Sequence, residues 1–160
     1  MGGIAGLEIK QAESPQQITQ VRELFLEYAK SLGFSLCFQN FDQELAGLPG
    51  DYAPPQGRLL LAEFEGQLAG CGALHPMDHD ICEMKRLYIR SQFRGKQIGK
   101  FLAEYLISEA KAIGYKRMRL DTVAPIMASA VSLYRQLGFR EIPAYRTNPI
   151  EGALYMELQW

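Results

Sequence analysis

A short basic stretch with two glycines, RGKQIG at residues 94–99, combines residue types that bind anions. It follows a strand-like apolar run and precedes a helix-like run, so it is expected to form the turn that starts the helix. The first turn of a helix has backbone N–H groups without intrahelical partners, and glycine lets an anion approach them closely. The sequence therefore predicts a phosphate-binding turn made of Arg94, Gly95, Lys96, Gln97, Ile98, Gly99 and Lys100.

Positive charge is concentrated around this turn. Six of the 17 Lys and Arg residues lie between residues 85 and 100, and none of the 18 Asp and Glu residues does. The six are Lys85, Arg86, Arg90, Arg94, Lys96 and Lys100. A local basic patch on an acidic remainder favours a compact polyanion and disfavours a nucleic-acid partner, which needs a broad basic face. A solvated charged loop is the alternative interpretation.

Two common phosphate-binding motifs are absent from this stretch. It is not a P-loop, because the pattern GxxxxGK followed by Ser or Thr does not occur. It is not a Rossmann fingerprint either, because GxGxxG is missing and the strands before it are predicted to form hairpins. The turn must therefore belong to another kind of phosphate site.

Length and composition indicate one domain over residues 1–160, with a mass of 18.0 kDa. No apolar run reaches the roughly 18 residues that a membrane span requires, and the first residues lack a signal-peptide pattern. The three cysteines, Cys37, Cys71 and Cys82, show no CxxC spacing and are expected to be free thiols. A cytoplasmic protein without a membrane partner is therefore expected.

Hydrophobic periodicity predicts the elements that position the turn. Strands are expected at 7–12, 58–64, 67–75, 81–89, 116–123, 139–145 and 152–160. Helices are expected from the cap at Ser14 to Gly33, at 41–47, from the glycine turn to Gly114, and before Gly138, where Ile126, Ala130, Leu133 and Leu137 follow at helical spacing. The order β-α-α-β-β-β-α-β-α-β-β predicts an α/β (mixed α+β) fold, a mixed sheet with helices on both faces.

RGKQIG, together with LYRQLGF at residues 133–139, resembles the GNAT superfamily of acyl-CoA-dependent N-acetyltransferases over roughly residues 58–158. In the family's motif Arg/Gln-x-x-Gly-x-Gly/Ala, Arg94 and Gly99 fill the outer positions, and Gln97 stands where the middle glycine is usual. We expect Gln97 to keep an ordinary helical φ and still offer its N–H. An asparagine common in the family is Met127 here. The resemblance implies a mostly antiparallel sheet.

The resemblance also implies acetyl-CoA as the cofactor. The sheet of the family is splayed beside the phosphate turn, so the backbone groups of Leu87, Tyr88 and Ile89 are expected to pair with the pantetheine arm. One of these N–H groups is expected to stabilise the oxyanion. The six clustered positive charges are expected to face the diphosphate and the ribose phosphate.

Two residues are expected to carry the chemistry. Tyr134, which matches the tyrosine of the family, is expected to protonate the departing thiolate, and the alternative is a core aromatic residue beside Met127 and Val131. Glu83, an acid inside a strand-like run, is expected to act as the base, directly or through water. An ion pair of Glu83 with Lys85 or Arg86 is the alternative.

Other polar residues carry weaker expectations. His75, Asp78, His79 and Asp80 are interpreted as a polar turn, and no metal is expected. Tyr145, Asn148 and Tyr155 either shape an acceptor pocket or pack in the sheet. The expected function is acetyl transfer to the amine of a small molecule or peptide, by a monomer or homodimer. A non-catalytic acyl-CoA-binding module is the alternative.

Overall fold

The computed structural model describes residues 4–33, 36 and 40–160, so the prediction for Cys37 lies outside the described residues. The strands are β1 (Leu7–Gln11), β2 (Arg58–Phe64), β3 (Gln67–Asp78), β4 (Ile81–Ile89), β5 (Arg117–Val123), β6 (Arg140–Ile142) and β7 (Ala153–Gln159). The helices are α1 (Pro15–Leu32), α2 (Phe41–Ala46), α3 (Ile98–Ile113) and α4 (Ala128–Gln136), with 3-10 turns at Gly50–Tyr52 and Ser91–Phe93. The predicted order of strands and helices is confirmed.

The ends of α1 show why the sequence predicts this helix well. The Ser14 hydroxyl accepts a hydrogen bond from the Gln17 N–H at 3.1 Å, and the Gln17 side chain accepts one from the Ser14 N–H at 3.0 Å. Gly33 ends the helix with φ at 75°, a left-handed conformation that glycine adopts without strain. Both predicted helix boundaries are confirmed.

Two local predictions differ from the structure. β3 continues to Asp78, beyond its predicted end at His75. The pairing with β4 shifts register at a bulge between Pro76 and Asp78, so the strand tolerates the proline. α4 begins only at Ala128, so Ile126 lies in the preceding turn and is 50% exposed. The predicted helix therefore begins too early, at Ile126. The buried residues of α4 are Val131 and Tyr134, and the partly buried Ala130 and Leu137 pack against the same core.

The seven strands form one sheet in the order β1-β2-β3-β4-β5-β7-β6. All neighbouring pairs are antiparallel except β4 and β5, which are parallel. The core on one face contains α3 and the Tyr134 side of α4, and the core on the other contains α1 and Phe41 of α2. The mixed, mostly antiparallel sheet with helices on both faces is thus confirmed. None of the described helices has both the length and the apolar character that crossing a membrane requires.

Candidate active site

The single parallel pair of strands opens into a cleft. Its pairing consists of Ile81, Cys82 and Glu83 against Arg117, Met118 and Arg119. Beyond it, a cleft of about 490 Å³ separates residues 84–89 of β4 from residues 120–123 of β5. β3 pairs with the far side of β4, so within the described chain the β5-facing edge of residues 84–89 has no strand partner. This edge, which includes Leu87, Tyr88 and Ile89, offers backbone hydrogen-bonding groups to the cleft.

A bulge in β4 turns Arg86 away from the predicted phosphate site. Arg86 has φ at 60°, and it is the extra residue where β4 passes the short segment from Cys71 to Ala73. Its buried guanidinium donates to both carboxylate oxygens of Glu44, at 3.0 and 2.8 Å, and lies 5.1 Å from the centre of the Phe41 ring. Burial lowers the pKa of Arg86, but Glu44 outweighs burial and the net pKa is raised.

Arg90 is also occupied by carboxylates of the protein. Its guanidinium donates to Glu27 at 2.6 and 3.0 Å and to Glu23 at 3.0 Å. The expectation that all six clustered charges face the cofactor phosphates is therefore wrong for Arg86 and Arg90. Their charges are satisfied by α1 and α2, which the sequence places far from them.

The turn that is predicted to bind phosphate lies at the start of α3, as expected. Gln97, the N-cap residue, makes no side-chain cap hydrogen bond, so its side chain leaves the first N–H groups of the helix open to a ligand. Arg94 and Gly99 line the cleft, and the Arg94 Nε donates to the Ile89 carbonyl at 3.1 Å. A Cβ added to Gly99 would lie 3.6 Å from Ile89 Cγ1, an ordinary contact, so the cleft beside this glycine has room for a methyl group.

Gln97 departs from its predicted conformation. Its φ is 64°, left-handed rather than helical, and Gly95 just before it has φ at 82°. A left-handed residue other than glycine costs about 1–2 kcal/mol, which explains why glycine is usual at this position of the motif. The neighbouring Lys96 places its Nζ 5.4 Å from the centre of the Phe64 ring, and Lys96 and Lys100 are exposed.

Tyr134 is a core aromatic residue that also borders the cleft. Its ring belongs to the core on the α3 face and packs 5.7 Å, centre to centre, from Phe139. The residue also lines the cleft, and its hydroxyl makes no hydrogen bond to any described residue. Burial raises the pKa of Tyr134, and the nearby Tyr28 and Asp121 raise it further. The hydroxyl therefore remains protonated and available to a ligand in the cleft.

Glu83 lies at the point where β4 and β5 part and is fully buried. Its Oε1 lies 2.8 Å from His75 Nε2 and 2.8 Å from Arg146 Nη2. Its Oε2 lies 2.7 Å from the Tyr145 hydroxyl and 2.6 Å from Arg146 Nη1. Burial alone raises the pKa of Glu83, but the donors His75 and Arg146 outweigh it and hold the pKa far below its usual range. The predicted ion pair with Arg86 does not form, since Arg86 pairs with Glu44.

Asp121 is the acidic residue that the sequence interpretation missed. It lies two residues beyond the last β4-paired residue of β5, lines the cleft and is 6% exposed. Its contacts are long, 3.4 Å to Asn148 Nδ2 and 3.5 Å to Arg146 Nη1. An acid inside the strand-like run RMRLDTV is the same signal that pointed to Glu83.

The segment 143–152 between β6 and β7 brings side chains to both carboxylates. Tyr145 and Arg146 contact Glu83, and Asn148 contacts Asp121. Tyr155 supports the segment, because its hydroxyl donates to the Arg146 carbonyl at 2.8 Å and its ring lies 5.0 Å from that of Tyr145.

A second pocket, of about 530 Å³, lies beside this cluster. Its walls come from α2, the 3-10 turn at Gly50–Tyr52, and the side chains of His75, Glu83 and Arg146. Lys85 lines both this pocket and the cleft, so the two cavities lie side by side at this residue. The residues predicted to form a polar turn make two kinds of contact. His75 contacts Glu83, whereas Asp78 accepts a local hydrogen bond from the His79 N–H at 2.7 Å.

Comparisons with known proteins agree with this architecture. In solved structures, an acetyltransferase of the GNAT family from Staphylococcus aureus has a TM-score of 0.78 at 19% identity, covering 96% of this chain and 98% of that chain. A Salmonella typhimurium protein solved with its cofactor acetyl-CoA has a TM-score of 0.65 at 17% identity, covering 96% and 94%. At these identities the similarity shows the fold.

Sequence comparison shows the family. The chain is 38% identical over 157 residues to an uncharacterized N-acetyltransferase of Schizosaccharomyces pombe, covering 97% of this chain and 96% of that protein. A model of the acetyltransferase (GNAT) family matches residues 18–139. The resemblance found in RGKQIG and LYRQLGF is therefore confirmed, and this chain belongs to the GNAT superfamily of N-acetyltransferases.

Proposed function

We propose that the protein transfers an acetyl group from acetyl-CoA to a primary amine of a small molecule or peptide, with direct attack by the amine in a ternary complex. The observation that carries this proposal is the unpaired edge of β4, which lies in one cleft with the uncapped start of α3. An amide-rich chain pairs with a strand edge, and phosphate groups bind at a helix start. Membership of the family supports the same function.

The residues around the cleft fit acetyl-CoA, which supplies the acetyl group as an activated thioester. The room beside Gly99 and the first N–H groups of α3 suit the diphosphate, with Arg94 beside them. The backbone of residues 87–89 suits the pantetheine amides, and one of its N–H groups suits the oxyanion. We propose Gly95, Lys96, Gln97, Ile98 and Lys100 as the rest of the phosphate site.

The proposed general acid is Tyr134. Its ring is fixed by the core, and its hydroxyl is directed to no described partner. Because its raised pKa keeps the proton on oxygen, Tyr134 can give a proton to a departing thiolate.

The proton of the amine requires a carboxylate or a water that a carboxylate holds. Glu83 remains a predicted base, directly or through water, but its four short contacts reduce its capacity to accept a proton. We therefore propose Asp121, with its two long contacts, as the group that receives the proton. Glu83 then acts as a positioning residue for Tyr145 and Arg146.

The full engagement of Glu83 also suits the alternative, a non-catalytic acyl-CoA-binding module. Two measurements separate the alternatives. We expect saturating acetyl-CoA to raise the Tm, because a ligand at 100 times its Kd stabilises a protein by about 2.7 kcal/mol, whereas NAD and ATP should have little effect. For an enzyme, a panel of primary amines must release CoA thiol. Binding without thiol release favours the module, and no shift with acetyl-CoA contradicts both functions.

A further inference from the structure

Two groups of opposite charge line the cleft, and one of them, Lys85, also lines the second pocket. Lys85 lines both cavities and Asp121 lines the cleft from the facing strand. They share one face of the sheet. Glu83 and Lys85 are two residues apart on β4, so their side chains lie on the same face, and Arg146 contacts both Glu83 and Asp121. Burial lowers the pKa of Lys85, while the negative charges of Glu83 and Asp121 oppose that effect. A ligand passing this point meets one positive and one negative group.

The carboxylates deep in the second pocket are already used by the protein. Glu44 is bound at both oxygens by Arg86, and Glu83 is bound at both oxygens by Arg146. The third carboxylate of the pocket, Asp51, is exposed. A second cationic group on an acceptor would therefore find no buried carboxylate available among the described pocket residues, and Lys85 would repel it.

An anionic group would be favoured at the same place. Lys85 has a contact of its own within the protein, and a ligand carboxylate would add a charge-assisted hydrogen bond to it. The carboxylate would also offset the cost of burying the ammonium. The pocket volume of about 530 Å³ is that of a small-molecule site.

We propose, on the basis of the proposed acetyl transfer, that the acceptor is a small amino-carboxylic acid. Its carboxylate binds Lys85, its amino group lies at Asp121, and its remaining atoms occupy the second pocket. A polyamine or an acceptor with a neutral group in place of the carboxylate is then a poor substrate.

The proton balance of this arrangement is complete. The acceptor arrives as an ammonium, and its nitrogen loses a proton to Asp121 before it attacks the acetyl carbonyl carbon. The N–C bond forms and the C–S bond breaks, with the proton of Tyr134 passing to the thiolate sulfur. Of the three protons of the ammonium, the first has passed to Asp121. The nitrogen gives the second to Tyr134, which replaces the proton that Tyr134 gave to the sulfur, and the third stays in the amide. Asp121 then releases its proton to water. One proton is released for each acetyl group transferred.

The test uses the whole protein, acetyl-CoA and matched sets of acceptors. Each set contains an α-, β- or γ-amino acid, its primary amide and the corresponding decarboxylated amine, with spermidine as a cationic comparison. We expect at least one amino acid to be acetylated with a kcat/KM at least tenfold above that of its amide and its amine. Equal rates for acid, amide and amine overturn the inference, and so does a preference for spermidine.

Variants locate the two contacts. Lys85→Gln should raise the KM for the amino acid about tenfold and leave that for the amide unchanged, whereas Lys85→Arg should retain the preference. Lys116→Gln, at an exposed position before β5, is the matched control. Asp121→Asn should lower kcat for acid and amide alike without changing acetyl-CoA affinity. A preference that persists in Lys85→Gln overturns the assigned carboxylate contact; if that variant does not fold, Lys85→Arg and the wild-type series decide.

Acetyl-CoA binding, measured by calorimetry on the same samples, separates two kinds of failure. If acetyl-CoA binds but no amino acid of the series is acetylated, the inference is overturned and the cofactor site stands. If acetyl-CoA does not bind, the proposed function itself is wrong.

Discussion

The two ends of the cleft are built from different parts of the protein. At the α3 end, the groups that face the cleft are mainly backbone groups from one continuous stretch, residues 84–99. At the opposite end, the groups are side chains that come from β3, β4, β5 and the segment 143–152. Backbone groups are offered by any sequence that folds this way, whereas side chains are particular to this chain. We therefore propose that the first end binds the cofactor and that the second end selects the acceptor.

The largest expected effect comes from placing a charge at the backbone end. Gly99→Glu puts a carboxylate where a phosphate is proposed, and two like charges about 4 Å apart repel by about 4 kcal/mol near a protein surface. We expect acetyl-CoA affinity to fall about a thousandfold, as measured by calorimetry.

Gly99→Ala is the matched control for that variant. Its Cβ makes only an ordinary contact with Ile89, so the variant should fold and separate bulk from charge. If Gly99→Glu binds acetyl-CoA as tightly as the parent does, the phosphate site lies elsewhere.

The second effect concerns the stability of the side-chain end. Glu83→Gln removes the buried charge that binds Arg146, and breaking such a pair costs about 3 kcal/mol. The folded pKa of Glu83 is lowered from 4.5, so its contribution is present above that pH and is lost as pH falls through the folded pKa. Urea unfolding should show the full difference from the parent at pH 7 and a smaller one below pH 4.5.

Glu141→Gln, at an exposed position of β6, controls for the loss of one charge. If Glu83→Gln is as stable as this control at pH 7, Glu83 does not hold the cluster together. If it is stable but turns over no acceptor, Glu83 rather than Asp121 is the base.

Tyr134→Phe tests the group that lies between the two ends. The variant keeps the packing against Phe139 and removes only the hydroxyl. Turnover should fall by about 10²-fold, the usual scale for a general acid, while acetyl-CoA affinity and Tm stay close to those of the parent. Tyr105→Phe, on α3, is the control. Turnover within a few-fold of the parent would make Tyr134 a core residue only.

The backbone end was predictable because its parts are neighbours in the sequence. The succession of a strand, a glycine turn and a helix start within residues 84–99 specifies these elements and the N–H groups at the helix start, although not the left-handed φ of Gln97. Tyr134 and Glu83 were found in the same way, from a motif and from an acid inside an apolar run. The meander of β2, β3 and β4 was predicted from the same succession of elements, whereas the position of β7 between β5 and β6 was not.

The side-chain end was not predictable, because its contacts depend on which distant charges meet. Arg86 and Arg90 look equivalent to Arg94 in the sequence, yet Glu44, Glu23 and Glu27 occupy the first two. Asp121 lies in the cleft because the pairing of β5 with β4 ends at Arg119, and its contact with Arg146 comes from a distant part of the chain. Because these ion pairs join residues that are far apart in the chain, no local sequence pattern predicts them.

A smaller effect of pH should appear at the side-chain end. The lowered pKa of Lys85 means that its positive charge is lost below the usual 10.5 as pH rises, while Arg86 and Arg146, whose pKa values are raised, keep theirs. The lowered pKa of Glu83 keeps its carboxylate ionised in that range. For an amino-acid acceptor, the kcat/KM of Lys85→Arg relative to the parent should therefore rise up to about tenfold toward high pH, because arginine stays charged. A ratio that stays constant from pH 7 to pH 10.5 contradicts the carboxylate contact with Lys85.

The smallest effect returns to the backbone end, at Gln97. Its φ of 64° is left-handed, so glycine should relieve strain there, although it also increases the freedom of the unfolded chain. Gln97→Gly should change the free energy of unfolding by about 1 kcal/mol in the stabilising direction, as measured by urea unfolding. Acetyl-CoA affinity should stay within a few-fold, because the turn offers the same N–H groups. Gln136→Gly, in the last turn of α4, is the control and should destabilise, because a helical φ gives glycine no advantage. If Gln97→Gly destabilises as much as that control, the side chain of Gln97 has a role that its exposed position does not show.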